Sequence, residues 1–307
     1  MNSNPNNERH LPTVYVGIPA HNEAKHIARL LDSIISQNHE NFSLSAVTVA
    51  CDGCTDSTAE VVGKYMQKNP VVLIINDNLR VGKVGRMNNF FKIADTDIFV
   101  SFDSDIVLAN NNVLSNLVET FATPKVGLVG GLGIPFPVKK LASKIAAVSD
   151  ELWYEVRKDL DGGNNIHNLV GCVLALSKNF YQGLAVPKNV TPEDEYLFFA
   201  AKATGFEFRF AKDAKVYYWS PSNFKDLFKQ SARFISTKTQ IQNLFGPEVS
   251  KFYAVPMANK VRAIIRMGFR EPVYLPLALS VQILLRLFKG QFQENNNKGL
   301  WTRITNE

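Results

Sequence analysis

The stretch Ile98-Phe99-Val100-Ser101-Phe102-Asp103-Ser104-Asp105 decides how we interpret this sequence. Its first half is rich in β-branched and aromatic residues, which is typical of a buried strand. The two aspartates that follow stand at i and i+2, and in an extended backbone that spacing places both side chains on one face. The two carboxylates repel each other, and a divalent cation bound to phosphate oxygens would remove that repulsion. Asp-Ser-Asp is also common in solvated turns, so the stretch alone leaves both interpretations open.

The residues before this stretch alternate between strand-like and helix-like segments. We predict strands at residues 14–18, 44–50, 71–75 and 98–102, and helices at residues 22–37, 58–66 and 82–94. This alternation predicts βαβ units, and therefore an α/β fold with a mostly parallel central sheet and flanking helices. In such sheets, ligands bind beyond the carboxyl ends of the strands.

Polar residues collect at the predicted carboxyl ends of four strands. They are Pro19 to Glu23, Cys51 to Asp56, the pair Gly82-Lys83 and the pair of aspartates at 103 and 105. Because these ends meet at one edge of a parallel sheet, we expect a binding crevice there.

The second half of the chain is less regular. We predict helices at residues 143–158, 193–204 and 223–244, and a strand pair or a bend at 206–218. Thr191-Pro192-Glu193-Asp194 is a good helix start, with an N-cap threonine and a proline in the first turn. The last apolar segment, residues 273–288, is interrupted by polar residues and too short to span a membrane. It is either an amphipathic helix on a membrane surface, or a helix packed on the rest of the chain or on a second copy.

Composition excludes several classes of protein. The 307 residues are 46% hydrophobic and 20% charged, as in ordinary globular proteins. A net charge of +6 suits a nucleotide diphosphate or an anionic membrane, whereas no dense basic block indicates nucleic acid. Three cysteines favour a reducing, cytoplasmic setting. Cys51 and Cys54 form a C-x-x-C pair without the second ligand pair of a zinc site.

Several of these segments together resemble the family 2 glycosyltransferases, which have the GT-A fold. They are P-A-H-N-E at 19–23, D-G-C-T-D-S-T at 52–58, G-K-V-G-R-M-N at 82–88, F-D-S-D at 102–105 and P-E-D-E at 192–195. Q-S-A-R-F at 230–234 is similar to the family's Q-x-x-R-W. The resemblance spans about residues 13 to 235 and implies an inverting transferase that uses a nucleotide-diphosphate sugar, of the UDP type, and Mg²⁺ or Mn²⁺.

The resemblance also implies a domain plan. A GT-A domain would cover residues 13–245, with a nucleotide-binding half at 13–105 and an acceptor-binding half at 106–245. A helical region at 246–290, with a membrane-surface role left open, would follow. Residues 1–12 and 291–307 would be tails. We expect a cytoplasmic protein, with an inner-membrane surface as an open alternative.

Residue roles follow from the same resemblance. Donor-nucleotide contacts are expected from Pro19, Ala20, Glu23, Asp52, Lys83 and Asp103. Of these, Asp52 would bind the base, Lys83 the pyrophosphate and Asp103 the ribose. Asp105 would be the direct metal ligand.

On the acceptor side, Asp194 would be the general base, although Glu193 and Glu195 adjoin it. Acceptor or pyrophosphate contacts are expected from Glu193, Gly171, Gln230 and Arg233. Phe234 stands where processive members have tryptophan, which favours transfer of a single sugar to a saccharide, a lipid-linked or a small-molecule hydroxyl.

Two other functions stay open on the sequence. A nucleotidyltransferase on a related fold usually has a glycine-rich basic loop after the first strand, and Pro19 to Glu23 is not such a loop. A catalytically silent nucleotide-sugar-binding or scaffolding protein would be expected to lack the acidic residues, and this chain has all of them.

Overall fold

The computed structural model describes residues 10–137 and 139–287. The strands are β1 (Thr13–Ala20), β2 (Ser43–Cys51), β3 (Val72–Ile75), β4 (Ile98–Phe102), β5 (Ile106–Leu108), β6 (Val126–Pro135), β7 (Val173–Ser177) and β8 (Glu207–Tyr218). The helices are α1 (Ile27–Ile35), α2 (Thr58–Lys68), α3 (Gly82–Ile93), α4 (Val113–Glu119), α5 (Leu141–Arg157), α6 (Lys178–Tyr181), α7 (Glu193–Ala203), α8 (Phe224–Phe245), α9 (Met257–Arg270) and α10 (Tyr274–Leu287). Short 3-10 helices lie at Leu160–Gly163, Ile166–Asn168 and Pro247–Tyr253.

The strands form one sheet in the order β3-β2-β1-β4-β7-β6-β8-β5. The first four in this order are parallel, as predicted. β7 is antiparallel to β4 and β6, and β5 is antiparallel to β8, whereas β6 and β8 are parallel to each other. The predicted α/β fold with a mostly parallel sheet is therefore confirmed, with antiparallel strands that the sequence pattern did not indicate.

The short connection between β4 and β5 shows that the sheet curls. Four strand spacings separate β4 from β5 in the sheet order, which is about 19 Å in a flat sheet. The chain has only Asp103 to Asp105 between the two strands, and these four Cα steps reach about 14 Å. The sheet must therefore bend round until β5 approaches the end of β4, and the two aspartates lie at this closure.

Two apolar cores lie on opposite faces of the sheet. One joins the sheet to α1, α2 and α4, and α1 contributes Ile27, Leu30, Leu31 and Ile34 to it, all without exposed surface. The other joins the sheet to α3, α6 and α7, with Phe90 and Tyr181 among its buried aromatics. At about 1.5–3 kcal/mol for each large apolar side chain, these layers hold the carboxyl ends of the strands in a fixed arrangement.

Three predictions of local structure differ from the structure. α1 begins at Ile27 rather than at residue 22, because Asn22 has a φ of 57° and cannot be helical. α7 begins at Glu193, as predicted, but its N-cap residue is Pro192 and no side chain caps it, so Thr191 is not the N-cap. The segment that we interpreted as a strand pair or a bend is one strand, β8, whose pairing with β6 shifts register after Gly131.

The C-terminal helices pack on α5 through a third apolar cluster. Met267 of α9 and Leu275 and Ala278 of α10 are buried there against Ile145 of α5. The prediction of a packed helix is thereby confirmed for one side of α10. Among the described residues, no helix has the length and apolar character to cross a membrane.

Candidate active site

Lys83, at the start of α3, joins three distant segments of the chain. Its Nζ lies 2.6 Å from Asp103 Oδ1 and 2.7 Å from Glu193 Oε1, and it donates to the carbonyl oxygen of Gly171 at 3.0 Å. Burial alone would lower the pKa of Lys83, but the charges of Asp103 and Glu193 outweigh it and raise that pKa above its ordinary value. The ammonium group therefore stays charged and ties the turn after β4 to the start of α7.

Asp194 lies next to this ion pair in the first turn of α7. Burial, followed by the negative charges of Glu193 and Glu195, raises the pKa of Asp194 to about 7. Its Oδ1 accepts the N–H of Glu195 at 2.8 Å. A carboxylate that titrates near neutral pH can both accept and release a proton at working pH, which is what a general base requires.

Gly171 lies against the same acidic groups. A Cβ at this position would lie 3.0 Å from Glu193 Oε1, 3.3 Å from Lys83 Nζ and 3.5 Å from Asp194 Oδ2. The backbone therefore approaches three functional side chains at once, which only glycine permits without displacing them.

The two aspartates after β4 fit a cation that is shared with a substrate. The Asp103 side chain is 34% exposed, and Asp105 is half-buried. Within residues 10–137 and 139–287, no cluster of three or more potential metal ligands occurs. Mg²⁺ and Mn²⁺ are often held by one or two carboxylates together with substrate phosphates. Asp105 and Asp103 match that kind of donor set rather than a closed, resident metal site.

Asp52 lies deeper, at the end of β2, and is 4% exposed. Its carboxylate accepts the N–H of Val81 at 2.7 Å and that of Gly82 at 3.0 Å, at the start of α3. It also accepts from Arg86 Nε at 3.1 Å. Asp52 thus holds the start of α3, and with it Lys83, at the crevice.

The comparison with protein families matches residues 15–184 to glycosyl transferase family 2. This is more than half of the 307 residues. The chain belongs to glycosyl transferase family 2. The comparison with curated proteins gave no match.

Solved structures show the same fold as this family 2 member. The mannosyltransferase PcManGT from Pyrobaculum calidifontis, in complex with GDP-Man and Mn²⁺, has a TM-score of 0.59 and 19% identity, over 91% of this chain and 76% of that one. For S. aureus TarS the TM-score is 0.55 at 15% identity, over 93% of this chain and 54% of TarS, so this chain spans about half of TarS.

A third similar structure is glucosyl-3-phosphoglycerate synthase from Mycobacterium tuberculosis, in complex with Mn²⁺, UDP and phosphoglyceric acid. Its TM-score is 0.51 at 18% identity, over 75% of this chain and 78% of that one. At such identities the likeness shows the fold alone, and the predicted GT-A fold is confirmed. Together with the family match, it makes this protein a glycosyltransferase.

The glycosyltransferase brings most of the predicted site residues to one edge of its sheet. Pro19 and Ala20 end β1, and Ala20 O accepts the N–H of Asp52 at 2.7 Å. Glu23 follows in the turn before α1, where its N–H donates to Thr58 Oγ1. The nucleotide contacts expected of these residues and of Asp103 stay predictions.

The remaining predicted residues differ in how far the structure describes them. Lys83, which is expected to contact the pyrophosphate, and Glu193, which is expected to contact the acceptor or the pyrophosphate, form an ion pair with each other. Gln230 is half-buried on α8. Arg233 also lies within α8, but its side chain is outside the described residues.

Sequence reasoning missed Arg86 of α3, which is completely buried beside Asp52. Its guanidinium group donates to both carboxylate oxygens of Asp77, at 2.7 and 2.8 Å, besides its bond to Asp52. This pairing lowers the pKa of Asp77 to about 2. The one available signal was its position inside G-K-V-G-R-M-N, because a helical arginine otherwise indicates a solvated face.

It also missed a polar group on α5. Tyr218 Oη, at the end of β8, donates to Asp150 Oδ2 at 2.6 Å. Burial raises the pKa of Asp150 to about 6, and the hydrogen bond from Tyr218 counteracts part of this rise. The side chains of Tyr218 and Cys172 both lie beside Gly133, so the hydrogen bond between Tyr218 and Asp150 connects α5 to the strand end next to Cys172.

Proposed function

We propose that this glycosyltransferase moves one sugar from a nucleotide-diphosphate donor to an acceptor hydroxyl, with inversion at the anomeric carbon. The observation behind this proposal is the double ion pair of Lys83 with Asp103 and Glu193. It unites the residues expected to bind the donor with those expected to bind the acceptor. Asp194, the expected base, is adjacent to Glu193.

Asp194 would remove the proton from the acceptor hydroxyl as that oxygen attacks the anomeric carbon. The hydroxyl oxygen forms the new bond, the bond to the diphosphate breaks, and the electron pair leaves with the nucleoside diphosphate. One displacement of this kind inverts the configuration. A positioned base typically contributes about 10²–10⁴-fold to the rate. The pKa of about 7 supports this role for Asp194.

A divalent cation, Mg²⁺ or Mn²⁺, would be held by Asp105 together with donor phosphate oxygens, and by Asp103 on the nucleotide side. When bound, such an ion neutralises charge that develops on the departing diphosphate. The Mn²⁺ complexes of PcManGT and of glucosyl-3-phosphoglycerate synthase support a divalent cofactor here. Those complexes contain GDP-Man and UDP, so they support a nucleotide sugar without favouring one base.

The test compares Asp194→Asn with Asp213→Asn, the same chemical change at an exposed position of β8, as the control. Release of nucleoside diphosphate is measured across a panel of nucleotide sugars, with saccharides, lipid-linked sugars and small alcohols as acceptors. Asp194→Asn should bind UDP and Mn²⁺ like the wild type in calorimetry but lose at least about 100-fold in turnover. If it keeps wild-type turnover, the base is another residue. If the wild type binds nucleotide but never transfers sugar, the chain is a silent binding protein.

We also propose that α9 and α10 contact an anionic membrane at its cytoplasmic face. Met257, Ile265 and Phe269 are 69%, 56% and 86% exposed along one side of α9. Arg262 flanks this apolar side, and the described part of α9 has no acidic residue. Apolar residues beside basic ones suit an interface with anionic lipid.

Sedimentation with vesicles tests the membrane contact. The wild type should pellet with vesicles that contain phosphatidylglycerol and stay in the supernatant with neutral phosphatidylcholine. Phe269→Glu should lose this binding, whereas Leu73→Glu on the exposed edge strand serves as a control. Equal sedimentation of both variants would contradict the proposal, and a concentration-dependent dimer without vesicle binding would assign the face to a second copy.

A further inference from the structure

Arg86 of α3 joins two loops at the expected nucleotide site, and its side chain has no exposed surface. At the end of β2, its Nε donates to Asp52 Oδ1 at 3.1 Å, and its Nη2 donates to the carbonyl oxygen of Cys51 at 3.1 Å. In the loop before α3, it donates to both carboxylate oxygens of Asp77 and to the carbonyl oxygen of Leu79. One buried cation therefore connects the end of β2 to this loop.

The loop between β3 and α3, residues 76–81, is held from the inside by this arginine. Its residues Asp77, Asn78 and Leu79 are exposed, so apolar packing contributes little to its position. Exposed segments with few packing contacts open easily unless other contacts hold them. The two parallel bonds from Arg86 to Asp77 are of the strong, geometrically specific kind. The position of the β3–α3 loop therefore depends on Arg86.

Asp52 depends on the same arginine. It is 4% exposed, and a buried carboxylate is strongly unfavourable unless it is paired and hydrogen-bonded. Arg80 also lies near Asp52, but the Arg80 side chain is 30% exposed and its Nη1 is 3.7 Å from Asp52 Oδ2. Arg86 is nearer and buried. Without Arg86, the carboxylate of Asp52 would be poorly neutralised and would lose its present position.

Lys83 has anchors that do not involve Arg86. Its ammonium group is bound to Asp103, after β4, and to Glu193, at the start of α7. The expected pyrophosphate contact is thus fixed from other elements, whereas the expected base contact, Asp52, is fixed by Arg86. The two parts of a donor nucleotide should therefore differ in how much their binding depends on Arg86.

We propose that Arg86 is a positioning residue for the nucleotide part of the donor, because it holds Asp52 and the β3–α3 loop in the arrangement that binds the base. The inference rests on the proposed function, in which Asp52 contacts the base. Since Arg86 has no exposed surface, it acts through Asp52 and the loop and does not touch the donor. An arginine with a stabilising role alone would leave nucleotide binding unchanged in variants that fold.

Calorimetry with Mn²⁺ tests the proposal with UDP, with GDP in parallel, and with inorganic pyrophosphate, which lacks the nucleoside. Arg86→Met keeps a long side chain but loses the charge and all the donors. It should weaken binding of the nucleotide about 10- to 100-fold, as expected for lost hydrogen bonds to charged groups. Binding of pyrophosphate should stay near that of the wild type. Arg86→Lys should fall between Arg86→Met and the wild type, because an ammonium group keeps the charge without the parallel bonds.

Two further variants make the test specific. Arg209→Met is the matched control, because it removes an arginine from an exposed ion pair with Glu207 on β8, and it should bind nucleotide like the wild type. Asp77→Asn loosens Arg86 from the exposed side, since the Asp77 side chain is 36% exposed. It should weaken nucleotide binding about 3- to 10-fold. Combined with Arg86→Lys, its effect should be less than additive, because both residues act in one network.

Circular dichroism checks the fold of each variant. Unchanged nucleotide affinity in a folded Arg86 variant, or an equal loss of nucleotide and pyrophosphate binding, would overturn the proposal. If neither Arg86 variant folds, Asp77→Asn decides by the same two criteria. If the wild type binds neither UDP nor GDP, the donor site is wrong and the positioning role falls with it.

Steady-state kinetics separates failure of the inference from failure of the proposed function. Arg86→Lys should raise KM for the donor and leave kcat at saturating donor close to that of the wild type, because Asp194 is untouched. If sugar is transferred with an unchanged donor KM, the function stands and the positioning role is wrong. If nucleotide binding depends on Arg86 but no acceptor receives sugar, the positioning role stands and the transfer reaction is wrong.

Discussion

Replacing Gly171 by alanine adds one methyl group at the centre of the proposed site. The new Cβ would lie 3.0 Å from Glu193 Oε1 and 3.3 Å from Lys83 Nζ, whereas ordinary contacts begin at 3.4 Å. The neighbours must therefore retreat by a few tenths of an ångström. Neither can do so independently, because Lys83 and Glu193 are held together at 2.7 Å and Lys83 is also bound to Asp103.

The cost should fall on catalysis rather than on folding. A 1 Å misplacement of catalytic groups costs about 100-fold in rate, so a shift of about half that size should cost about 10-fold. The backbone of Gly171 has no positive φ that would exclude alanine. The entropy gained by replacing glycine, about 0.4–1 kcal/mol, partly offsets the crowding. We expect a change in unfolding free energy within about 1 kcal/mol.

The assay measures kcat from nucleoside diphosphate release, and unfolding free energy from urea titration. Gly63→Ala on α2 is the matched control, because nothing lies within 4 Å of a Cβ there. It should leave kcat unchanged and stabilise the helix by up to about 1 kcal/mol. A Gly171→Ala enzyme with wild-type kcat would refute the reasoning, since Glu193, Lys83 and Asp194 could then shift without consequence.

Four further predictions concern the charged residues of the proposed site. Activity, as kcat/KM, should rise with pH through a midpoint of about 7, and Glu193→Gln should lower that midpoint by removing a negative neighbour. Because the pKa of Asp194 is raised by folding, its contribution to unfolding free energy should be lost as pH rises from about 4 to about 7, and Asp194→Asn should flatten this slope in urea titrations. Lys83→Met should cost about 3–5 kcal/mol in the same titrations, because it leaves Glu193 buried and unpaired beside Asp103, whereas Lys83→Arg should cost less. Finally, UDP should bind more weakly when EDTA removes divalent ions, and Asp105→Asn should lose this metal dependence.

The nucleotide-binding half could be predicted because its local patterns and its fold agree. The strands β1 to β4 alternate with helices, and the predicted bounds of these four strands differ from the observed ones by at most two residues. Parallel strands joined by helices allow one handedness of connection, so position along the chain largely fixes position in the sheet. That is why Asp52, Lys83 and Asp103 could be placed at one edge from the sequence.

The second half could not be derived in this way. β7 and β5 are antiparallel, and nothing in their own residues indicates which strand they pair with or in which direction. The segment of β6 with Gly131 was apolar and glycine-rich, but its role in bending β8 depends on Ala214, a residue far along the chain. Such features depend on contacts between residues that are far apart in the sequence, and a local sequence pattern cannot indicate these contacts.

The side chains that sequence reasoning missed also depend on long-range packing. Asp150 and Arg157 lie seven residues apart on a helix, a spacing that is typical of a solvated polar stripe and does not indicate burial. Both are polar groups that the fold encloses, since α5 packs beside Tyr218, which donates to Asp150, and Arg157 is buried. Arg86 likewise becomes notable because the fold buries it completely and gives it Asp52 and Asp77 as partners.

The balance of charges in the crevice relates the proposed metal and donor sites to the pKa of Asp194. Asp103, Glu193 and Asp194 lie around the ammonium group of Lys83, and three acidic residues around one cation give this part of the described site an excess of negative charge. A diphosphate donor adds more, and like charges at a few ångströms repel strongly in a partly buried site. In the proposed reaction, a divalent cation that arrives with the donor would remove this repulsion on one side of Lys83. On the other side, burial and the charges of Glu193 and Glu195 raise the pKa of Asp194 to about 7, which would suit the base proposed for this reaction.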